Sequence, residues 1–126
     1  MTTLTSGAST GLVVEDEWLL RMELVDELRE AGFQTLEAAT GDAALSLLDS
    51  DLEADFLVTD IRLPGAADGW AVAERFRDRY PGKPVIYVSA NPDLEARRVT
   101  GGVFLGKPCD MRQLLETIAR LLKSDC

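Results

Sequence analysis

Residues 57–65 read LVTDIRLPG: an apolar run that stops at an aspartate and then breaks at a Pro-Gly pair. A short, solidly apolar run that ends in a turn signal reads as a strand covered on both faces, with Asp60 at its C-terminal end. Taken alone, such an aspartate is a turn or cap residue. Its meaning depends on what the other strands carry at the same end.

Working outward, similar runs occur at GLVV (11–14), FQTLEA (33–38), PVIYVS (84–89) and VFL (103–105). The second alternates and suits an edge strand; the others are apolar throughout. Helical patterns separate them. Leu20, Leu24, Leu28 and Ala31 recur at helical spacing before Gly32, a C-cap glycine. Thr40 caps a helix bearing Ala44, Leu45 and Leu48, and Asp68 caps one bearing Ala71, Val72 and Phe76 that Pro81-Gly82 stops. Pro92–Val99 is a weaker fourth helix ended by Gly101-Gly102. Met111, Leu114, Leu115, Ile118, Leu121 and Leu122 form the stripe of a fifth. Strands alternating with helices imply an α/β fold, a doubly wound five-stranded parallel sheet of flavodoxin-like order 2-1-3-4-5 with helices on both faces and a short or irregular fourth helix.

The chain has 126 residues, 46% of them hydrophobic and 28% charged. That is one domain, expected at 11–126 behind a disordered tail at 1–10. No apolar run is long enough for a signal peptide or a membrane span, and Cys109 and Cys126 have no paired or metal-like spacing. A cytoplasmic location with reduced thiols follows. The net charge of −9 excludes nucleic acid as the direct partner, since phosphate binding requires clustered Lys and Arg. Histidine is absent, which removes His-based triads and His-ligated zinc. Chemistry must rest on carboxylates, hydroxyls and lysine.

Right-handed crossovers place every strand's C-terminal end on one rim. Glu15 and Asp16 follow the first strand, Asp60 ends the third, Ser89 ends the fourth and Gly106-Lys107-Pro108 follows the fifth. Two carboxylates about 5 Å apart repel by roughly 3 kcal/mol at an effective dielectric near 20. Such a cluster requires a cation, a proton or the lysine, and magnesium suits an all-oxygen site that also holds a phosphoryl group. Each residue alone has a plain structural explanation; their convergence at four strand ends carries the functional reading.

At this point the sequence closely resembles the receiver (response regulator) family of two-component signalling, from Leu12 to Leu122. The matching motifs are LVVEDE, LVTDIRLPG with DGW after it, VIYVSA and FLGKP. The resemblance implies that Asp60 is the phosphoacceptor and that Glu15 and Asp16, with Asp60 and the backbone carbonyl of Arg62, hold Mg2+. Ser89 matches the family's hydroxyl, Lys107 its lysine and Phe104 its aromatic switch position. A sensor histidine kinase or a histidine phosphotransfer protein is the implied donor, with a downstream protein as the target. A stand-alone receiver, monomeric or weakly dimeric, is expected, and not an enzyme beyond assisting its own phosphoryl transfer and autodephosphorylation.

Three features depart from the family pattern. Only 18 positions separate Ser89 from Lys107, the loop after Asp60 is one residue longer before Asp68-Gly69, and Phe104 lacks a hydroxyl. Rival functions fit less well. An aspartate-nucleophile phosphatase needs a second acid two residues after its nucleophile, where this chain has Arg62. A flavodoxin-type module needs a Ser, Thr and Gly-rich loop after the first strand, where this chain has Glu15-Asp16-Glu17. A receiver-like module that binds a partner without accepting phosphate is the third alternative.

Overall fold

The computed structural model describes residues 8–90 and 97–124. Its elements run β1 (Thr10–Val14), α1 (Trp18–Glu30), β2 (Gln34–Ala38), α2 (Gly41–Leu48), β3 (Phe56–Thr59), α3 (Gly69–Arg79), β4 (Val85–Ser89), β5 (Val103–Gly106) and α4 (Met111–Ser124). All strand pairs are parallel, in the order β2-β1-β3-β4-β5. This is the expected flavodoxin-like sheet. The tail expected at 1–10 falls mainly on residues outside those described, although Thr10 already opens β1. The helix expected at Pro92–Val99 likewise lies largely outside them, and four helices are present among the described residues.

Alternation along the strands builds two apolar layers. Leu12, Val14, Leu57, Val85 and Tyr87 face Leu48, Trp70, Ala73 and Phe76 of α2 and α3. Val13, Phe56, Val58, Ile86 and Val88 face Leu24, Val25 and Leu28 of α1 and Leu114 and Ile118 of α4. Burying one such side chain is worth roughly 1.5–3 kcal/mol, so two full layers outweigh the repulsion of a few clustered carboxylates at the rim. The edge strand β2 has Leu36 only partly buried and Glu37 exposed, as its alternating sequence predicts.

The helix boundaries follow local chemistry. Thr40 Oγ1 accepts the Ala43 N–H at 3.0 Å, and Asp68 Oδ1 accepts the Ala71 N–H at 2.9 Å, so both expected caps form. Gly32 takes φ +100° just after α1, the left-handed conformation of a C-terminal stop. One expectation is corrected here: Ala31 is the exposed C-cap of α1 rather than part of its apolar stripe, and Val25 takes the inward place.

Candidate functional site

Backbone hydrogen bonds carry the strand register out to the rim. The Asp60 N–H donates to the Val14 carbonyl at 2.9 Å, the Glu15 N–H to that of Ala38 at 3.1 Å, and the Lys107 N–H to that of Ser89 at 3.0 Å. Glu15, Asp60 and Lys107 therefore stand one residue beyond β1, β3 and β5, and Ser89 is the last residue of β4. Gly69 holds the loop after β3 against this frame: a Cβ there would lie 1.9 Å from the Asp60 carbonyl oxygen, and the Gly69 N–H donates to the Ile61 carbonyl at 2.7 Å. Only glycine permits that approach. The longer loop is also tethered from α2, where Asp42 Oδ2 accepts the Ala66 N–H at 3.4 Å.

The convergence expected from sequence is present. Lys107 Nζ lies 2.9 Å from Asp60 Oδ2 and 3.2 Å from Glu15 Oε1. Glu15, Asp16 and Asp60 each bring a carboxylate oxygen within 4.8 Å of the others. Asp60, Arg62, Ser89, Ala90 and Lys107 line one pocket of about 360 Å³. Asp60 Oδ1 accepts the Arg62 N–H at 3.3 Å, so the backbone at Arg62 borders the carboxylate. Phe104 sits apart from the carboxylates, stacked on Tyr87 at 4.9 Å between centroids and edge-on to Trp70 at 5.9 Å.

Burial makes this cluster electrostatically demanding. Glu15 is 1% exposed and Asp60 8%. Burial, with the nearby Asp60 charge adding to it, raises the Glu15 carboxyl above its usual range against the Glu17 N–H and Lys107, which favour the ionised form. Burial pulls the Lys107 ammonium down, but its hydrogen bond and attraction to Asp60, with Glu15 adding, leave it raised overall. Glu15 Oε2 accepts the Glu17 N–H at 3.0 Å. Its Oε1 has the Lys107 charge nearby but no donor aligned for a hydrogen bond, and it is fully buried. A buried carboxylate oxygen short of a partner, facing two further carboxylates, fits a hard divalent cation. Glu15, Asp16 and Asp60 are the residues that could hold it.

Sequence reasoning missed two neighbours of this site. Arg21 reaches back from α1 to the Glu15 carbonyl, and Tyr87 supports Phe104 while its hydroxyl accepts the Val99 N–H at 3.1 Å. An arginine one turn into the helix after an acidic pair was the available signal for the first. The second had no signal in the sequence, because Tyr87 meets Phe104 only through the register of β4 against β5.

A model of the response regulator receiver domain matches residues 12–119. The chain belongs to the response regulator receiver family. Among curated proteins it is 34% identical to a sensor kinase, CckA, of Brucella abortus over 94% of this chain and 13% of the kinase. It is 35% identical to a response regulator receiver protein of Anaeromyxobacter sp. over 86% of this chain and 43% of that protein. The chain thus spans less than half of these relatives. A receiver protein from Sinorhizobium medicae WSM419 superimposes with a TM-score of 0.91 at 32% identity, covering 96% of this chain and 99% of that one. The receiver domain of the hybrid histidine kinase CckA does so with a TM-score of 0.78 at 32% identity, over 90% and 98% of the two chains. Receivers are signalling phosphoacceptor domains rather than enzymes in the ordinary sense. No described helix of this one is long and apolar enough to cross a membrane.

Proposed function

We propose that this receiver takes a phosphoryl group onto Asp60 from a phosphohistidine on a sensor histidine kinase or histidine phosphotransfer protein, and that the change is read as altered protein contacts. The observation that carries the reading is the Asp60 carboxylate, mostly buried, fixed by Lys107 through Oδ2 and open to the pocket it shares with Ser89. An ionised carboxylate is already a nucleophile and needs no side-chain base. One of its oxygens attacks phosphorus, the bond from phosphorus to the donor imidazole nitrogen breaks with its electron pair leaving on nitrogen, and an acyl phosphate results. Magnesium held by Glu15, Asp16, Asp60 and the Arg62 carbonyl would neutralise charge on the transferring oxygens.

The chain's own groups divide the remaining work. Lys107 orients Asp60 and stays charged to meet the phosphoryl oxygens. The Ser89 hydroxyl, on the same pocket wall, hydrogen-bonds a phosphoryl oxygen and draws the end of β4 inward. Tyr87 lies two residues back on that strand and is stacked on Phe104, so the displacement reaches β5 as a packing change and shifts the population of its surface. A protein donor fits the surroundings: Trp18 is 58% and Leu19 67% exposed on α1, beside a wide groove of about 910 Å³ that runs to Lys107, Pro108 and Cys109. Apolar groups grouped beside a reactive site favour a macromolecular donor over a free small one.

Incubation with phosphoramidate and magnesium followed by intact-mass measurement tests this. The expected result is one hydroxylamine-labile HPO3 adduct on the wild type and none on Asp60→Asn. An unlabelled wild type, under conditions that label an established receiver, sinks the proposal; a labelled Asp60→Asn sinks the site.

A further inference from the structure

The turn between β1 and α1 must present two adjacent carboxylates toward a third, and a turn of like charges does not keep that shape by itself. Its side-chain support comes from two directions. The Glu15 carboxylate folds back onto the Glu17 N–H, which spends one of its oxygens. From the other side, Arg21 Nη1 donates to the backbone carbonyl of Glu15 at 2.9 Å, and Arg21 Nε donates to Glu37 Oε1 on β2 at 3.2 Å. Arg21 is the fourth residue of α1, and helical side chains lean toward the helix N-terminus. That lean carries the guanidinium back over the acidic turn.

A cation in this place has electrostatics against it. It stands in the opening turns of a helix, where the dipole disfavours positive charge, and near a cluster suited to a divalent cation. Its fixed contacts account for its position: a planar fork can hold the Glu15 carbonyl with one nitrogen and Glu37 with another, which lysine's single ammonium cannot do in the same geometry. We propose that Arg21 is a positioning residue for magnesium, its guanidinium, braced by Glu37, fixing the Glu15 carbonyl so that Glu15 and Asp16 face Asp60. The inference rests on reading the rim as a magnesium site.

Charge and geometry make opposite predictions here. By Coulomb repulsion alone, removing a neighbouring positive charge tightens magnesium binding; if Arg21 holds the turn, removing it weakens binding, as loss of outer-shell support commonly does, by about tenfold. Calorimetric titration of magnesium into the full chain, without any phosphodonor, separates the two. Arg21→Gln is expected to raise the dissociation constant about tenfold and Arg21→Lys, which keeps the charge, about threefold. Arg29→Gln, which removes the same charge from the far end of α1, is expected to leave it unchanged. Urea unfolding in EDTA confirms that each variant is folded, and Arg21→Lys carries the test if Arg21→Gln is not. Unchanged or tighter binding in a folded Arg21 variant overturns the proposal. Absence of magnesium heat in the wild type overturns the metal reading beneath it, and unlabelled Asp60 with intact magnesium binding leaves Arg21's role standing while removing phosphoacceptance.

Discussion

At the N-terminal rim of the sheet, Asp55 meets Lys83 and the start of β1; at the C-terminal rim, Asp60 meets Lys107 and the end of β1. The first arrangement is complete. Asp55 Oδ2 accepts the Thr10 N–H at 2.8 Å and Oδ1 accepts Lys83 Nζ at 3.0 Å, one acid against one lysine, both about a third exposed. The second has three carboxylates sharing one lysine, with Glu15 Oε1 buried and short of a donor. The same residue types thus make a balanced strut at one end and a carboxylate-rich cluster that could hold a cation at the other. What separates them is burial and stoichiometry rather than composition.

The largest expected difference comes from removing each lysine. Lys107→Ala leaves Glu15 and Asp60 buried without their cation, and breaking a buried pair from one side costs about 3 kcal/mol, less whatever Glu15 recovers by taking a proton. Urea unfolding in EDTA measures it. Added magnesium should return part of the loss, because the ion replaces the missing positive charge. A Lys107→Ala protein as stable as wild type in EDTA would mean that the C-terminal rim is no more demanding than the other.

A smaller effect appears on titration. Glu15 has its folded pKa raised above 4.5, so the folded state binds this proton more tightly than the unfolded chain. Its contribution to stability is present in full below about 4.5 and is lost as pH rises through the raised folded value. Lys107 is also raised, from 10.5, and has the same sign but acts only in alkali. Metal-free wild type should therefore gain stability relative to Glu15→Gln on acidification from neutrality toward pH 4.5, read as a widening difference in urea midpoints. Magnesium, which favours the ionised carboxylate, should abolish that trend.

Much of this was legible in the sequence because strand ends are local features. Asp60, Ser89 and Lys107 each follow an apolar run, and parallel topology alone puts such positions on one rim. The Thr40 and Asp68 caps were readable for the same reason: a cap is fixed by residues three apart. Contacts that depend on side-chain direction between elements left little trace in the sequence beyond an arginine one turn after the acidic pair. Arg21 reaching Glu15 and Glu37, and Tyr87 lying under Phe104, join residues whose proximity depends on how α1 settles on the sheet and how β4 meets β5. Ala31 keeps the helical period, but α1 ends at Glu30 and Ala31 is its exposed C-cap, just before Gly32. The inward position went to Val25, which falls beside Leu24 and Leu28 on the face that packs.

The smallest expected effect is at the N-terminal rim, and it tests the comparison from its other side. Lys83→Ala removes the partner of a carboxylate that is a third exposed and keeps its hydrogen bond from the Thr10 N–H. Water can solvate Asp55 Oδ1 once the ammonium is gone, so no buried charge is stranded, and a pair this exposed contributes about 0.2–1 kcal/mol. Salt should shrink even that, since exposed charges are screened, with a Debye length of about 10 Å at 0.1 M ionic strength. Neither the magnesium affinity nor the labelling of Asp60 should change, because β3 separates Asp55 from Asp60 by its full length. If Lys83→Ala instead cost as much as Lys107→Ala in EDTA, and magnesium rescued both, the contrast between a finished rim and a poised one would fail, and the demand at Glu15 would have to be a property of the whole fold.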